Sequence, residues 1–259
     1  MTDKREQFRR VATTALVAQA WTDLSGSGIM PVAPSPARIL ATCRWAEQAG
    51  RGDGAVTSGH GALLATALGV VPGTALAADG SLRVRAFSTD GPWSVRGEDG
   101  RALLIGLGLG FSRSDESMVL IEVGPNAIAE GLLASSLLLA KDRSVPMLVM
   151  VDHSIGAHTC SDPTAAPLAS SLLVAAEFAS AGDEAAAPEL VARLAEVVRE
   201  QRCPAVLELV GTFGAFGTTA AISALQGARR RLGIGEEREI METVSGEVRK
   251  AALARIGGG

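Results

Sequence analysis

Tyrosine is absent from the 259 residues, and the aromatics present are six Phe and three Trp. With 47% of the chain hydrophobic, the core has to be built mainly from Ala, Leu and Val, small side chains packed closely. Cysteine is scarce too. Cys43, Cys160 and Cys203 are odd in number and show no CxxC spacing, which excludes a disulfide framework or a zinc site and leaves buried thiols in a reducing compartment. Positive charge is not concentrated: the net charge is −4 and the basic residues are scattered apart from Arg229-Arg230-Arg231, so the chain lacks the electrostatic footprint of a nucleic-acid binder. The arginine triplet reads as a solvated helix face. No apolar run approaches the roughly 20 residues of a membrane span, and the charged start MTDKREQFRR is not a signal region, so a soluble cytoplasmic protein is expected.

Glycine, at 30 residues, is abundant and punctuates the chain. The length fits one α/β domain over 1–259. Residues 4–22 read as a helix, SGSG at 25–28 breaks it, and Pro36 opens a second helix through Trp45. Gly50 to Gly54 reads as a loop, and Ser58-Gly59-His60-Gly61 leads into a short helix over 62–68. Pro72 to Gly100 shows little periodicity and reads as a long surface excursion with one short strand at Leu82 to Phe87. A Gly-rich helix follows over 100–111. Later come a helix to about Leu172, a weak edge strand at Val174 to Ser180, a helix at Pro188 to Gln201, a strand at Cys203 to Val210, a helix to Leu232 and an amphipathic helix over 236–256.

At the centre, two β-branched apolar runs, Val119 to Val123 and Pro146 to Val151, flank a helix expected from about Ala127 to Lys141. The first run ends in Gly124-Pro125-Asn126 and the second in Asp152-His153-Ser154. In a right-handed βαβ unit both C-terminal ends open on one edge of the sheet, which is where ligands of such folds bind. The fold class expected is a three-layer α/β/α sandwich with a mostly parallel sheet. Asp152 is read as a turn or cap residue as well as a possible oxygen ligand. His153 and His158, five residues apart with Cys160 close by, have neither a fixed spacing nor a carboxylate cluster for a metal, and read as solvated loop histidines.

In order and spacing these landmarks resemble the diphosphate-binding half of the transketolase family. The segment SGSG at 25–28 looks like the family's SGHPG, TSGHG at 57–61 like SNGHG, and Gly91-Pro92 with Gly100 onward like GPLGQG. Gly124-Pro125-Asn126 with Glu130-Gly131 looks like GDG with its EG, Asp152-His153-Ser154 like DNN, and VGTFGAFG at 210–217 like the family's TxxGxG segment. The resemblance covers nearly the whole chain. It implies the thiamine-diphosphate-binding fold, with thiamine diphosphate and magnesium as cofactors, and with Gly61, Gly91, Pro92, Gly124, Pro125, Asn126, Asp152, His153 and Ser154 around the cofactor. It also implies transfer of a two-carbon ketol or acyl unit, in which the chain works as one half of a split enzyme with a separate pyrimidine-binding subunit.

Several positions depart from the family pattern. Pro125 and Ser154 stand where the family has its Asp and Asn ion ligands, which leaves Asn126 and Ser154 as the metal ligands on offer. Proline has no side-chain ligand atom and serine is a weak neutral one. Of the family's histidines only His60 is placed by a matching motif, either as a catalytic, phosphate-binding group or as a structural histidine at a helix start; Ser27 replaces another. Glu130 matches a glutamate of an intersubunit acidic network and is expected at an interface. Two further readings stay open: a non-catalytic homologue serving as scaffold or regulatory subunit, and a different anionic ligand held by Arg96 or Arg101, both of which also read as surface residues.

Overall fold

The computed structural model describes residues 3–29, 33–50, 52–58, 62–76, 83–88, 91–96, 99–112, 117–155, 163–180, 183–210, 217–233 and 237–257. The chain divides into two compact units, one made of 1–49, 60–80 and 213–259, the other of 50–59 and 81–212.

The first unit is helical: α1 (Lys4–Gly26), α2 (Pro36–Gln48), α3 (Ala62–Ala67), α4 (Pro72–Leu76), α10 (Gly217–Leu232) and α11 (Arg238–Gly257). Both long entry helices are capped by a side chain. Asp3 accepts from the Arg5 amide, and Ser35 accepts from the Arg38 amide just ahead of Pro36. α1 packs on α2, α3, α10 and α11, and the buried Trp21 and Trp45 supply the largest side chains of this core. The arginine triplet is not a solvated face throughout. Arg231 donates through Nε (3.0 Å) and Nη2 (2.5 Å) to the buried Glu47 of α2, which also pairs with Arg44, while Arg229 pairs with Glu237. Cys43, one turn before Glu47, is buried as expected; burial first, and the neighbouring carboxylate second, push its thiol well above the ordinary range. Cys203 is only partly buried, and Cys160 lies outside the described residues.

The second unit is the α/β part. Its seven-stranded sheet runs β3 (Gly91–Arg96), β2 (Arg83–Ser88), β1 (Gly54–Thr57), β4 (Val119–Val123), β5 (Met147–Asp152), β7 (Ala205–Leu209), β6 (Ala175–Ala179). The five strands from β1 to β6 in that order are parallel, and β2 and β3 add an antiparallel hairpin at one side. Four helices matter here: α5 (Asp99–Phe111), α7 (Leu132–Asp142), α8 (Ala165–Ser171) and α9 (Ala187–Gln201). Side chains of period two split the faces. Val56, Ile121, Val149 and Val206 pack in one cluster with Leu103, Leu107, Leu133, Leu137 and Ala169 of α5, α7 and α8. α9 carries its own buried row, Val191, Leu194, Ala195 and Val198, against β5, β6 and β7. It covers the other face, because the chain reverses from edge strand β6 back to β7 and a right-handed crossover then has to change sides. The expected layered α/β/α arrangement is therefore present. No helix among the described residues is long and apolar enough to cross a membrane.

Four local expectations need correction or addition. β1 is an addition: the loop expected over 50–54 reaches only its first residue, Gly54, and 55–57 carry no expectation. In the excursion over 72–100 the strand expected at 82–87 is present as β2, and α4 and a second strand, β3, which pairs with β2 as a hairpin, are added to it. The helix expected from Ala127 to Lys141 is two, α6 (Asn126–Ala129) and α7, separated where Gly131 takes a left-handed φ of 69° that ends one helix before the next starts. α1 runs through to Gly26, so the SGSG stretch closes the helix later than expected.

Glycines in α5 set how closely it lies on the sheet. A Cβ on Gly106 would overlap the Ile121 side chain of β4, whereas one on Gly108 would meet nothing within 4 Å. Gly108→Ala is therefore expected to raise stability by about 0.5–1 kcal/mol, and Gly106→Ala to lower it by about 1–3 kcal/mol. Urea denaturation of the two variants tests both signs.

Candidate functional site

β4 and β5 are adjacent and parallel with Val123 opposite Val151, so Gly124-Pro125-Asn126 and Asp152-His153-Ser154 leave the sheet side by side at its C-terminal edge. That much follows the expectation. Gly91 and Pro92 do not join them. They open edge strand β3, where Pro92 pairs with Phe87, Phe87 with Ala55 and Ala55 with Leu120. This register puts Pro92 level with a residue four before Gly124, roughly 13 Å along the strands and three strand spacings away. β3 is antiparallel to β2 and therefore runs in the direction of β1 and β4, so its start lies at the opposite end of the sheet from the ends of β4 and β5. His60, Gly61, His158 and Cys160 lie outside the described residues.

At the edge itself the protein's own groups fill the positions a ligand would use. The Ser154 amide (2.9 Å) and hydroxyl (2.6 Å) both donate to Asp152, a local Asx turn, so Asp152 has its turn role and the Ser154 proton is committed to it. Pro125 has no N–H to offer and Asn126 is exposed at the start of the four-residue α6. The N-terminus of α5 is already supplied with anions: Glu130 accepts from the Gly100 amide at 3.0 Å, and the buried Asp99 takes the Ser58 hydroxyl. A Cβ built on Gly124 would lie 2.6 Å from the Ile155 carbonyl oxygen and 2.8 Å from Asp99 Oδ2. Arg101 is exposed on the first turn of α5, and Arg96 belongs to β3.

The best-connected polar group was not foreseen. Glu208, the next-to-last residue of β7, is fully buried and accepts from His153 Nε2 (2.8 Å), the Thr164 amide (2.8 Å) and hydroxyl, and the Ala166 amide (2.8 Å). Burial alone would push its carboxyl up. The His153 imidazole and the Ala166, Thr164 and Ala165 amides outweigh that, and it sits below the ordinary carboxylate value. His153 is thus a buried histidine, 1% exposed, and not a solvated loop residue. Because the Glu208 oxygen accepts, Nε2 carries a proton, and Nδ1 has no hydrogen-bond partner among the described residues. The carboxylate holds the imidazole in one orientation and closes the turn after β5 onto the first residues of α8. The signal for it was available in the strand itself, since an acid inside the apolar run CPAVLELV, like Glu122 inside VLIEV, has to find donors when both faces are covered. Glu122 points to the other face and takes the Thr57 hydroxyl at 2.8 Å.

The diphosphate and ion implied by the resemblance do not fit these residues. A diphosphate needs N–H donors or a cation, and a magnesium ion needs several oxygen ligands with open coordination. The edge presents the carboxylates of Asp99, Glu130 and Asp152, has lost the amide hydrogen at position 125, and is closed over Gly124 by the Ile155 carbonyl. Among the described residues no group of three or more His, Cys, Asp or Glu side chains is arranged to hold a metal ion.

The chain aligns with transketolases. The structure from Pichia stipitis in complex with xylulose-5-phosphate matches at 13% identity and a TM-score of 0.49, over 98% of this chain and 45% of that one. Those from Leishmania mexicana (14%, TM-score 0.47, 99% and 46%) and Campylobacter jejuni (12%, TM-score 0.43, 99% and 48%) are similar in extent. The chain spans less than half the length of each. At such identities and TM-scores the likeness carries no statement about chemistry. No family model and no curated protein matches the sequence.

Proposed function

We propose that this chain is a transketolase-like diphosphate-half subunit that serves a separate pyrimidine-binding chain as a non-catalytic scaffold or regulatory subunit. The observation that carries this reading is the closure of the strand edge: Ile155 O and Asp99 Oδ2 occupy the space a side chain on Gly124 would need, next to Pro125, and Ser154 is tied to Asp152, Pro125 and Ser154 being the two places where the resemblance calls for ion ligands. The order of glycine turns along the sequence supports the kinship, and the loss of both ligands supports the loss of chemistry. Glu130 belongs to this reading as an interface residue.

A second reading is the split enzyme itself, with thiamine diphosphate completed by the partner chain. It is favoured by the adjacency of Gly124 and Asp152 on parallel neighbours, the position at which open α/β sheets take ligands.

Calorimetry with thiamine diphosphate, with and without magnesium, separates the two. The scaffold reading expects no magnesium-dependent heat from the chain alone or with the pyrimidine-half partner. Magnesium-dependent binding by the wild-type pair establishes the split enzyme instead. Pro125→Asp with Ser154→Asn, measured with the partner, is expected to raise magnesium-dependent affinity at least ~10-fold. Unchanged affinity would show that these two positions are not where the ion ligands were lost.

A further inference from the structure

We infer that the outer edge of β6 is a self-association surface, on which a second copy of this chain pairs antiparallel, strand to strand, about a two-fold axis through Glu177. Among the described residues β6 pairs only with β7, so its far side presents unpaired backbone N–H and C=O groups. Natural edges are normally blunted by Lys, Pro or an inward charge. Residues 170–180, SSLLVAAEFAS, contain no Lys, Arg or Pro and one acid.

The strand is complementary to itself. Pairing about Glu177 sets Ala176 opposite the second copy's Phe178, and Phe178 opposite its Ala176, with Ala175 opposite Ala179. Ala176 packs against the cluster on the α8 face, and Phe178, two residues on, shares that face and is 48% exposed. Each large ring therefore meets a small residue, twice, as an isologous interface requires. On the opposite face Glu177 is held by Arg193 of α9 at 2.6 Å. The axis brings two such pairs together, two carboxylates with two guanidinium groups, so the Glu177 side chains meet already neutralised. The chain also keeps an exposed apolar residue beside this edge in an unfavourable backbone state. Leu173 is 83% exposed with φ 56°, a left-handed conformation that suits Gly or Asn better than Leu. A covered edge gives that side chain a reason to be there.

Sedimentation of the full chain over a concentration series tests the pairing. The wild type is expected to rise in mass toward two chains. Phe178→Lys, at an exposed position and with folding checked by circular dichroism, is expected to raise the dissociation constant at least ~30-fold. The double variant Ala176→Glu/Phe178→Lys places opposite charges at both cross-strand pairs and is expected to re-associate, less so in high salt. A wild type that stays monomeric at every concentration overturns the inference. So does a Phe178→Lys chain that associates like the wild type, and a double variant that remains as dissociated as the single one overturns the pairing about Glu177.

Discussion

Glu208→Ala is expected to cost about 3–5 kcal/mol of folding stability, the range seen when one partner of a buried charged hydrogen-bonded set is removed. The variant leaves His153 Nε2–H and the Thr164 and Ala166 amides without their acceptor, in a place that the wild-type packing closes to water. Each orphaned donor then carries its desolvation cost. With a urea slope of about 2–3 kcal/mol per molar, the midpoint should fall by more than ~1 M. Glu208→Gln is expected to lose less, about 1.5–3 kcal/mol, because its carbonyl can still accept from His153 and Thr164 while its amide faces the Ala166 N–H. The effect has a sign in pH. The folded carboxyl lies below the ordinary value, so its stabilisation is fully present above the unfolded carboxylate range near ~4.3 and is lost as pH falls through the folded value. The gap between wild type and Glu208→Ala should accordingly narrow in acid. A gap that is constant from neutral pH into that range would mean that Glu208 is not held as the anion.

The contrast between His153 and the strands around it shows what a single sequence can convey here. β4, β5 and β7 were legible because strands covered on both faces need continuous apolar β-branched runs, and α9 because its apolar row recurs with helical period. β1 was not, although it pairs with β4 in the middle of the sheet. It is four residues, Gly54-Ala55-Val56-Thr57, too short for a run and opened by a glycine that reads as loop. Of the β2–β3 hairpin only β2 is legible; β3 is not, because it begins with Gly91-Pro92, residues that favour turns and are tolerated here on an edge strand. His153 was placed in solvent for a different reason. Its neighbours are polar and its spacing to His158 is short, but what buries it is a carboxylate 55 positions away, visible only once β7 is laid beside β5. The meeting of the two strand ends at one edge was therefore readable from local pattern, and the filling of that edge was not, since it depends on Ile155, Asp99 and Glu208 arriving from separate elements.

Gly124→Ala decides whether that filling is real. Gly124 is kept at the position where the resemblance would have backbone approach a diphosphate, and a glycine there has two explanations with opposite consequences. If the strand edge is open to a ligand, a methyl group projects into solvent and stability changes by less than ~0.5 kcal/mol, the usual limit for a surface substitution. If the edge is closed as described, the methyl carbon must share space with the Ile155 carbonyl at 2.6 Å and Asp99 Oδ2 at 2.8 Å. Neither neighbour gives way cheaply. The carbonyl is backbone, in a turn fixed by the Ile155 amide donating to the Asp152 carbonyl at 3.0 Å, and the carboxylate is held through its other oxygen by Ser58. The expected loss is about 3 kcal/mol, the upper end of the overpacking range, with faster amide exchange at Ile155 as the turn is displaced. Gly100→Ala provides the comparison, because its Cβ would meet only side-chain atoms of Leu132 and Glu130, which can rotate away, and a smaller loss of about 1–2 kcal/mol is expected. A near-neutral Gly124→Ala beside a costly Gly100→Ala would mean that the edge opens in solution, and it would return the cofactor-binding reading to first place.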